Sequence, residues 1–237
     1  MQKNVTLLVL VTALTLFAAP RMGTMTDSRD GKSYRIVKIG KQTWMAENLN
    51  YDYNEGPAKS FCFHEDCRKY GRYYTWAAAV DSAAVFSSKG KGCGDEKKCG
   101  IDGVVRGVCP TGWHLPNKDE VEKLFSSIGG ELLDDDISWS QVGERLKSSS
   151  GWKSLKSSRG RMNSGNGKDT YGFSALPAGS RYVTGEFGNQ GTQAFFWTSS
   201  EFGETGAYCI EFFSDGDWGA LDETTKALPF SVRCIKD

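Results

Sequence analysis

The chain has 237 residues, 39% of them hydrophobic, and its 29 basic and 29 acidic side chains cancel. That length and composition fit one globular domain, or at most two small ones. With no net charge and no basic block, the long-range field that draws a protein to nucleic acid or to an anionic membrane is missing, so nucleic acid is not an expected partner.

The chain opens with "MQKNVTLLVLVTALTLFAAPRMG". Lys3 supplies a short positive region, and Val5 to Ala19 is apolar apart from Thr6, Thr12 and Thr15. This is the plan of a secretory signal and is short for a membrane span, although Phe17 and Pro20 around Ala19 make a poor cleavage site. The expectation is a leader over residues 1–23 and one domain over 24–237, with an N-terminal anchor as the rival reading. No cysteine follows the apolar run, so lipid attachment there is not indicated.

"DGKSYRIVKIGKQTWM" predicts a hairpin, with Tyr34, Ile36 and Val37 before a Gly40-Lys41 turn and Thr43, Trp44 and Met45 after it. Seven cysteines, an odd number, suit an oxidising compartment. Cys62 with Cys67 and Cys93 with Cys99 could each close a small polar loop. A zinc reading of Cys62, His64 and Cys67 lacks the two-residue spacing of zinc knuckles. "GRYYTWAAAVDSAAVF" has the composition and period of a helix. The Gly, Lys and Asp-rich segment from Ser87 to Val108 reads as a surface loop held by the second cysteine pair.

In "CPTGWHLPNKDEVEKLF", Asn117 can cap a helix with Glu120 answering as a capping box, and Val121, Leu124, Phe125 and Ile128 form its buried stripe. Gly129-Gly130 ends that helix, and "SWSQVGERLKSSSGW" suggests a third. From Lys153 to Gly191 a tract of Gly, Ser, Asn and Lys is long for a plain connection, and such tracts tend to be functional. "AFFWTSSE", "GAYCIEFFSD" and "LPFSVRCIKD" predict three closing strands. Strands at both ends with helices between them give a single α+β domain.

"DGKSYRIVKIGKQTWMAENLNY", "KYGRYYTWAAAVDSA", "CPTGWHLPNKDEVEKL", "LKSSSGW", "YGFSALPAGSRY", "FWTSSE" and "FSVRCIKD", in that order, resemble the Fibrobacter succinogenes major paralogous domain. The resemblance runs from about Thr24 to Asp237. More distantly, "GWHLPNKDEVEKL" followed by "FWTSSE" is similar to formylglycine-generating-enzyme domains, which have the C-type-lectin fold. These resemblances imply an exported, C-type-lectin-like single domain in which N- and C-terminal strands share a sheet, two helices flank it and long loops carry any binding surface. They also imply a Cys109–Cys234 disulfide, which leaves Cys209 as a buried thiol.

No catalytic constellation is legible. There is no Walker loop, Gly-x-Ser-x-Gly elbow or His-Glu-x-x-His motif. The formylglycine-generating relatives hold copper with a cysteine pair in their C-terminal part, where this chain has only Cys209 before the last strand; Cys62 and Cys67 lie in the wrong half. His114 reads as scaffold, its imidazole bonded to a carbonyl, and His64 as solvated. Asp134, Asp135 and Asp136 read as a solvated turn.

No metal ligand and no cofactor is assigned. Calcium is the one cofactor for which oxygen ligands are at hand, from Asp215, Asp217, Asp222 and Glu223 and from Asn163, Asn166 and Asp169. The Glu-Pro-Asn and Trp-Asn-Asp motifs of calcium-dependent sugar lectins are absent. The candidate ligand-binding residues are Tyr182, Phe187, Asp215, Asp217 and Trp218, flat rings beside carboxylates that suit a sugar face or a protein partner. The expectation is therefore an exported, non-enzymatic binding or adhesion module of the periplasm or cell surface. Its ligand, a carbohydrate or an extracellular protein, would contact loops 164–193 and 214–225. A metal-dependent enzyme of the formylglycine-generating type and a structural surface protein without a fixed ligand are the alternatives.

Overall fold

A computed structural model describes residues 20–156 and 160–237; of the leader expected over residues 1–23, residues 1–19 lie outside them. In chain order the strands are β1 (Arg21–Thr26), β2 (Ser33–Ile39), β3 (Gln42–Met45), β4 (Ser60–Cys62), β5 (Arg72–Tyr74), β6 (Trp113–His114), β7 (Ser138–Trp139), β8 (Leu155–Lys156), β9 (Met162–Asn163), β10 (Ser180–Arg181), β11 (Phe187–Gly188), β12 (Gln193–Phe202), β13 (Gly206–Phe213), β14 (Gly219–Thr225) and β15 (Ile235–Lys236). The helices are α1 (Trp76–Ala79), α2 (Lys118–Ser127) and α3 (Val142–Leu146). The chain is thus mixed α and β, with sheet predominating.

The first sheet has the order β1-β2-β3-β15-β6, antiparallel throughout, so strands from both ends of the chain lie in one sheet. The expected hairpin is there: Ile39 pairs with Gln42 across Gly40-Lys41, and Gly40 takes φ +57°, a conformation that costs glycine little. β1 begins at Arg21 and pairs Arg21 with Lys38, so the sheet takes in three residues upstream of Thr24. The second sheet has the order β12-β13-β14-β7.

β12 organises the core. Successive strand residues point to opposite faces, so Phe196 joins one apolar cluster with Trp44, Phe125 and Phe212, while Trp197 joins the other with Met45, Trp76 and Phe230. Burial on both faces explains why "AFFW" is continuously apolar rather than alternating. α2 carries the expected capping box: Asn117 Oδ1 accepts from Glu120 N–H, and Glu120 Oε2 accepts from Asn117 N–H, each at 2.9 Å.

Cys62–Cys67, Cys93–Cys99 and Cys109–Cys234 are disulfides, and Cys209 is a buried free thiol. The loop held by Cys93–Cys99 is fastened to β12 by Glu201, whose carboxylate accepts from the N–H groups of Cys99, Gly100 and Ile101 and from the buried Lys226 ammonium. Among the described residues no helix is long and apolar enough to cross a membrane.

Four local expectations give way. "GRYYTWAAAVDSAAVF" supplies only a four-residue helix, because Arg72–Tyr74 pairs with Ser60–Cys62 and Asp81 turns the chain at φ +62°. Its alanines serve close approach: a Cβ on Gly107 would lie 2.1 Å from Ala79 O, so loop backbone presses directly on α1. In "SWSQVGERLKSSSGW", Ser138–Trp139 is an edge strand and only Val142–Leu146 is helical. "LPFSVRCIKD" contributes a strand only at Ile235–Lys236, while Gly219–Thr225, read as loop, is a full strand.

Candidate ligand-binding cleft

β13 ends at Phe213, and residues 214–218 turn the chain into β14. This turn is built over a lysine. Lys147, at the end of α3, is only 2% exposed, and its ammonium donates to the carbonyls of Phe213 and Gly216, each at 2.7 Å. It also lies 4.9 Å from the ring centre of Trp152. Burial pulls its pKa down to about 8, against the opposing pull of Asp215, Asp217 and Glu144. A fixed positive charge therefore sits beneath a turn that presents two exposed carboxylates, Asp215 and Asp217.

The facing wall comes from the Gly- and Asn-rich tract. Asn166 Oδ1 accepts from Trp152 N–H at 3.0 Å, which sets that segment's path. Its glycines make the approach sterically open: a Cβ on Gly165 would lie 2.3 Å from Lys153 O, and one on Gly167 would lie 2.4 Å from Lys147 O. Between the walls is a cleft of about 490 Å³ onto which Asp215, Asp217, Asn163, Ser164, Asn166 and Glu144 open. The two loop segments expected to share a ligand are joined, since Ser214 N–H donates to Thr192 O at 2.8 Å.

The five candidate residues do not form one site. Asp215 and Asp217 line the cleft, while Trp218, half-buried, stacks on Phe213 with ring centres 4.5 Å apart, beside the cleft and not in it. Phe187 belongs elsewhere: it packs against Phe63 and Tyr73, at 5.2 Å from each, because it caps a small core cluster. Its exposed edge lines a different cavity, with Phe61, His64 and Arg181. Tyr182 covers Gly188, where a Cβ would lie 2.4 Å from the Tyr182 hydroxyl.

The expected oxygen set for calcium is likewise divided. Asp222 and Glu223 are strand residues opposite Cys209 and Tyr208, and Asp169 accepts from Ser174 N–H at 2.7 Å. Among the described residues no group of three or more His, Cys, Asp and Glu side chains is arranged around a common metal position. Lys147, which sequence reasoning missed, already holds two carbonyls of the turn. Nothing in "ERLKSSSGW" distinguishes it from a solvated lysine.

Cys209 is fully buried, its sulfur donating to Glu211 at 3.4 Å, and burial pushes the thiol well above its ordinary range. A thiol of that kind is a poor nucleophile. Glu211 itself is pushed up to about 7 by burial.

His114 differs from expectation in its partners, which are two carboxylates and not a carbonyl. Nδ1 lies 2.7 Å from Asp237 Oδ1 and Nε2 lies 3.0 Å from Glu120 Oε1. Burial lowers its pKa, the two carboxylates raise it by more, and the net is a rise above 6.5; Glu120, desolvated but paired, is held below 4.5. A raised histidine pKa contributes stability that is fully present below 6.5 and is lost as pH climbs through the folded-state value. Glu120 contributes above 4.5 and loses its contribution as pH falls through its lowered value. We expect His114→Ala to cost about 2 kcal/mol at pH 6, the worth of hydrogen bonds to charged groups, and clearly less at pH 9. Urea midpoints at the two pH values check this, and an equal loss at both would contradict it.

The sequence matches the family model described as the Fibrobacter succinogenes major domain over residues 37–236. No curated protein and no solved structure matches the chain. With the matched segment running from within β2 to the end of β15 and taking in all three helices and the cleft, the chain belongs to the Fibrobacter succinogenes major domain family.

Proposed function

We propose that this chain is an exported, non-enzymatic binding module with a C-type-lectin-like plan, and that its ligand is a polyhydroxylated carbohydrate held in the cleft between residues 163–166 and the 214–218 turn. The observation that carries the reading is the convergence of exposed carboxylates, amides and a hydroxyl on one cleft of about 490 Å³. Carboxylates accept from sugar hydroxyls, and asparagine amides both donate and accept, so this set matches a ligand rich in vicinal hydroxyls. The stacked Trp218–Phe213 pair beside the cleft offers an aromatic edge for a sugar face. The three disulfides support export.

The test is the affinity of the oxidised chain for soluble neutral oligosaccharides, compared with Asp215→Asn/Asp217→Asn. Both positions are exposed, so the melting temperature should move by no more than a few degrees. The affinity should fall tenfold or more. Unchanged affinity would remove the cleft from the account, and binding to an extracellular protein but to no sugar would replace the ligand class.

A further inference from the structure

A second concave surface lies on the other part of the chain and has a different chemistry. It is a groove of about 410 Å³ between the β2–β3 region and the segment that follows the Cys62–Cys67 disulfide. Lys32 and Arg35 edge one side, Arg68 and Lys69 the other, and Glu47 is the one acidic side chain lining it. Three of the cations are engaged with carboxylates: Lys32 with Asp30, Arg35 with Glu47 and Arg68 with Asp66. Asp30 and Asp66 lie outside the lining, and all three pairs are solvent-exposed, so they are weak and exchangeable. Lys69 instead lies over the Tyr70 ring at 4.7 Å from its centre.

At the floor, the Tyr34 hydroxyl accepts from Asn50 N–H at 3.0 Å and keeps its own proton to donate. The walls are fixed before any ligand arrives. Arg72 N–H donates to Leu49 O at 3.0 Å, and at Gly71 the two walls touch, a Cβ there lying 2.8 Å from the carbonyls of both Asn48 and Leu49. The disulfide holds Arg68 and Lys69 one and two residues beyond Cys67. Little ordering cost remains to be met on binding.

We propose that this groove binds an anionic saccharide, one whose sugar rings carry carboxylates. Carboxylates at the edges would take Arg35, Arg68 and Lys69 from their exposed partners, arginine doing so through paired N–H groups. Ring hydroxyls would meet Tyr34 and Asn50 on the floor. A ligand with charge alone would leave the floor unused, and a neutral sugar would leave the edges unused. The cleft at Asp215 and Asp217 has carboxylates where this groove has cations, so the two sites sort sugars by charge.

The experiment is calorimetric titration of the oxidised full chain with oligogalacturonate, its neutral methyl ester and poly-glutamate of matched charge, at low and high salt. The expected result is binding of oligogalacturonate that weakens as salt rises, with at least tenfold weaker binding of the ester and of poly-glutamate. Arg35→Ala/Lys69→Ala should lower the affinity for oligogalacturonate tenfold or more, and Asp215→Asn/Asp217→Asn should leave it unchanged. Equal affinity for the ester, equal or tighter binding of poly-glutamate, or no effect of the groove variant would each overturn the proposal. The proposed neutral-sugar cleft stands or falls separately, on neutral oligosaccharides and the Asp215/Asp217 variant.

Discussion

Arg233→Met should lower the stability of the fold by about 4 kcal/mol, although methionine fills much of the same space. The guanidinium is 1% exposed and has no carboxylate within ion-pair distance among the described residues. Its donors go to Asn48 Oδ1 at 2.9 Å, to Ser174 O at 2.8 Å, to Phe173 O and to Met45 O. It also lies over the rings of Phe173 and Phe196, at 4.6 and 5.2 Å from their centres. Burial draws its pKa down to about 9, with Asp169 pulling the other way. One side chain thus joins the segment before β15 to the end of β3 and to the 173–174 turn.

Removing it releases a buried charge, which is favourable, but leaves several interior acceptors without donors at about 1 to 3 kcal/mol each. The second effect is larger because the acceptors stay fixed by their own strands and turns. Arg233→Lys should recover only part of the loss, since an ammonium cannot reproduce the planar fork. Urea unfolding at pH 7 measures both. A loss below 1 kcal/mol for the methionine variant would show that the site relaxes or admits water.

Replacing Cys109 and Cys234 together by alanine should cost about 4 to 5 kcal/mol, and replacing Cys62 and Cys67 about 2 kcal/mol. The difference lies in the unfolded chain. The first pair closes a sequence separation of 125, and the second one of 5, so the long bridge removes far more freedom from the denatured ensemble. The long bridge also ties the approach to β6 to the start of β15, neighbours in the first sheet that no local contact would bring together. Thermal and urea unfolding of the two double variants gives the comparison. Equal losses would mean that native contacts and not chain entropy set the disulfide contribution.

What was legible in the sequence was local. Spacing alone foretold the β2–β3 hairpin, the capping box of α2 and the two short disulfide loops, because each is specified within a few residues. The long disulfide and the sharing of one sheet by both chain ends came from the family resemblance, since no local signal reports a contact 125 residues away. Reading failed where tertiary contact overrides local pattern. The alanines of α1 look like a long helix, yet they are small because glycine-bearing loops press on them. β14 looks like loop because an Asp-Gly-Asp turn precedes it and its outer half is polar, while only Gly219, Ala220 and Leu221 are buried.

The same limit applies to the site. Asp215 and Asp217 could be found as a carboxylate pair on a turn, and they do line a cleft. Trp218, Tyr182 and Phe187 share their exposed-aromatic pattern, but each is held by a neighbour: Phe213 and Gly188 across tight turns, and Phe63 from a distant part of the chain. Lys147 and Arg233 are the clearest omissions. Lys147 sits in a polar stretch and reads as solvated, and Arg233, between Val232 and Cys234, shows no local partner; only the fold reveals that each charge is buried against carbonyls.

The most direct test of the central claim is retention of the oxidised chain on insoluble plant and bacterial polysaccharides, beside the Asp215→Asn/Asp217→Asn variant. The account predicts specific retention on at least one neutral polysaccharide that the variant loses while still folded. Retention on neutral polysaccharides that survives the double substitution, or none on any neutral polysaccharide, would contradict it.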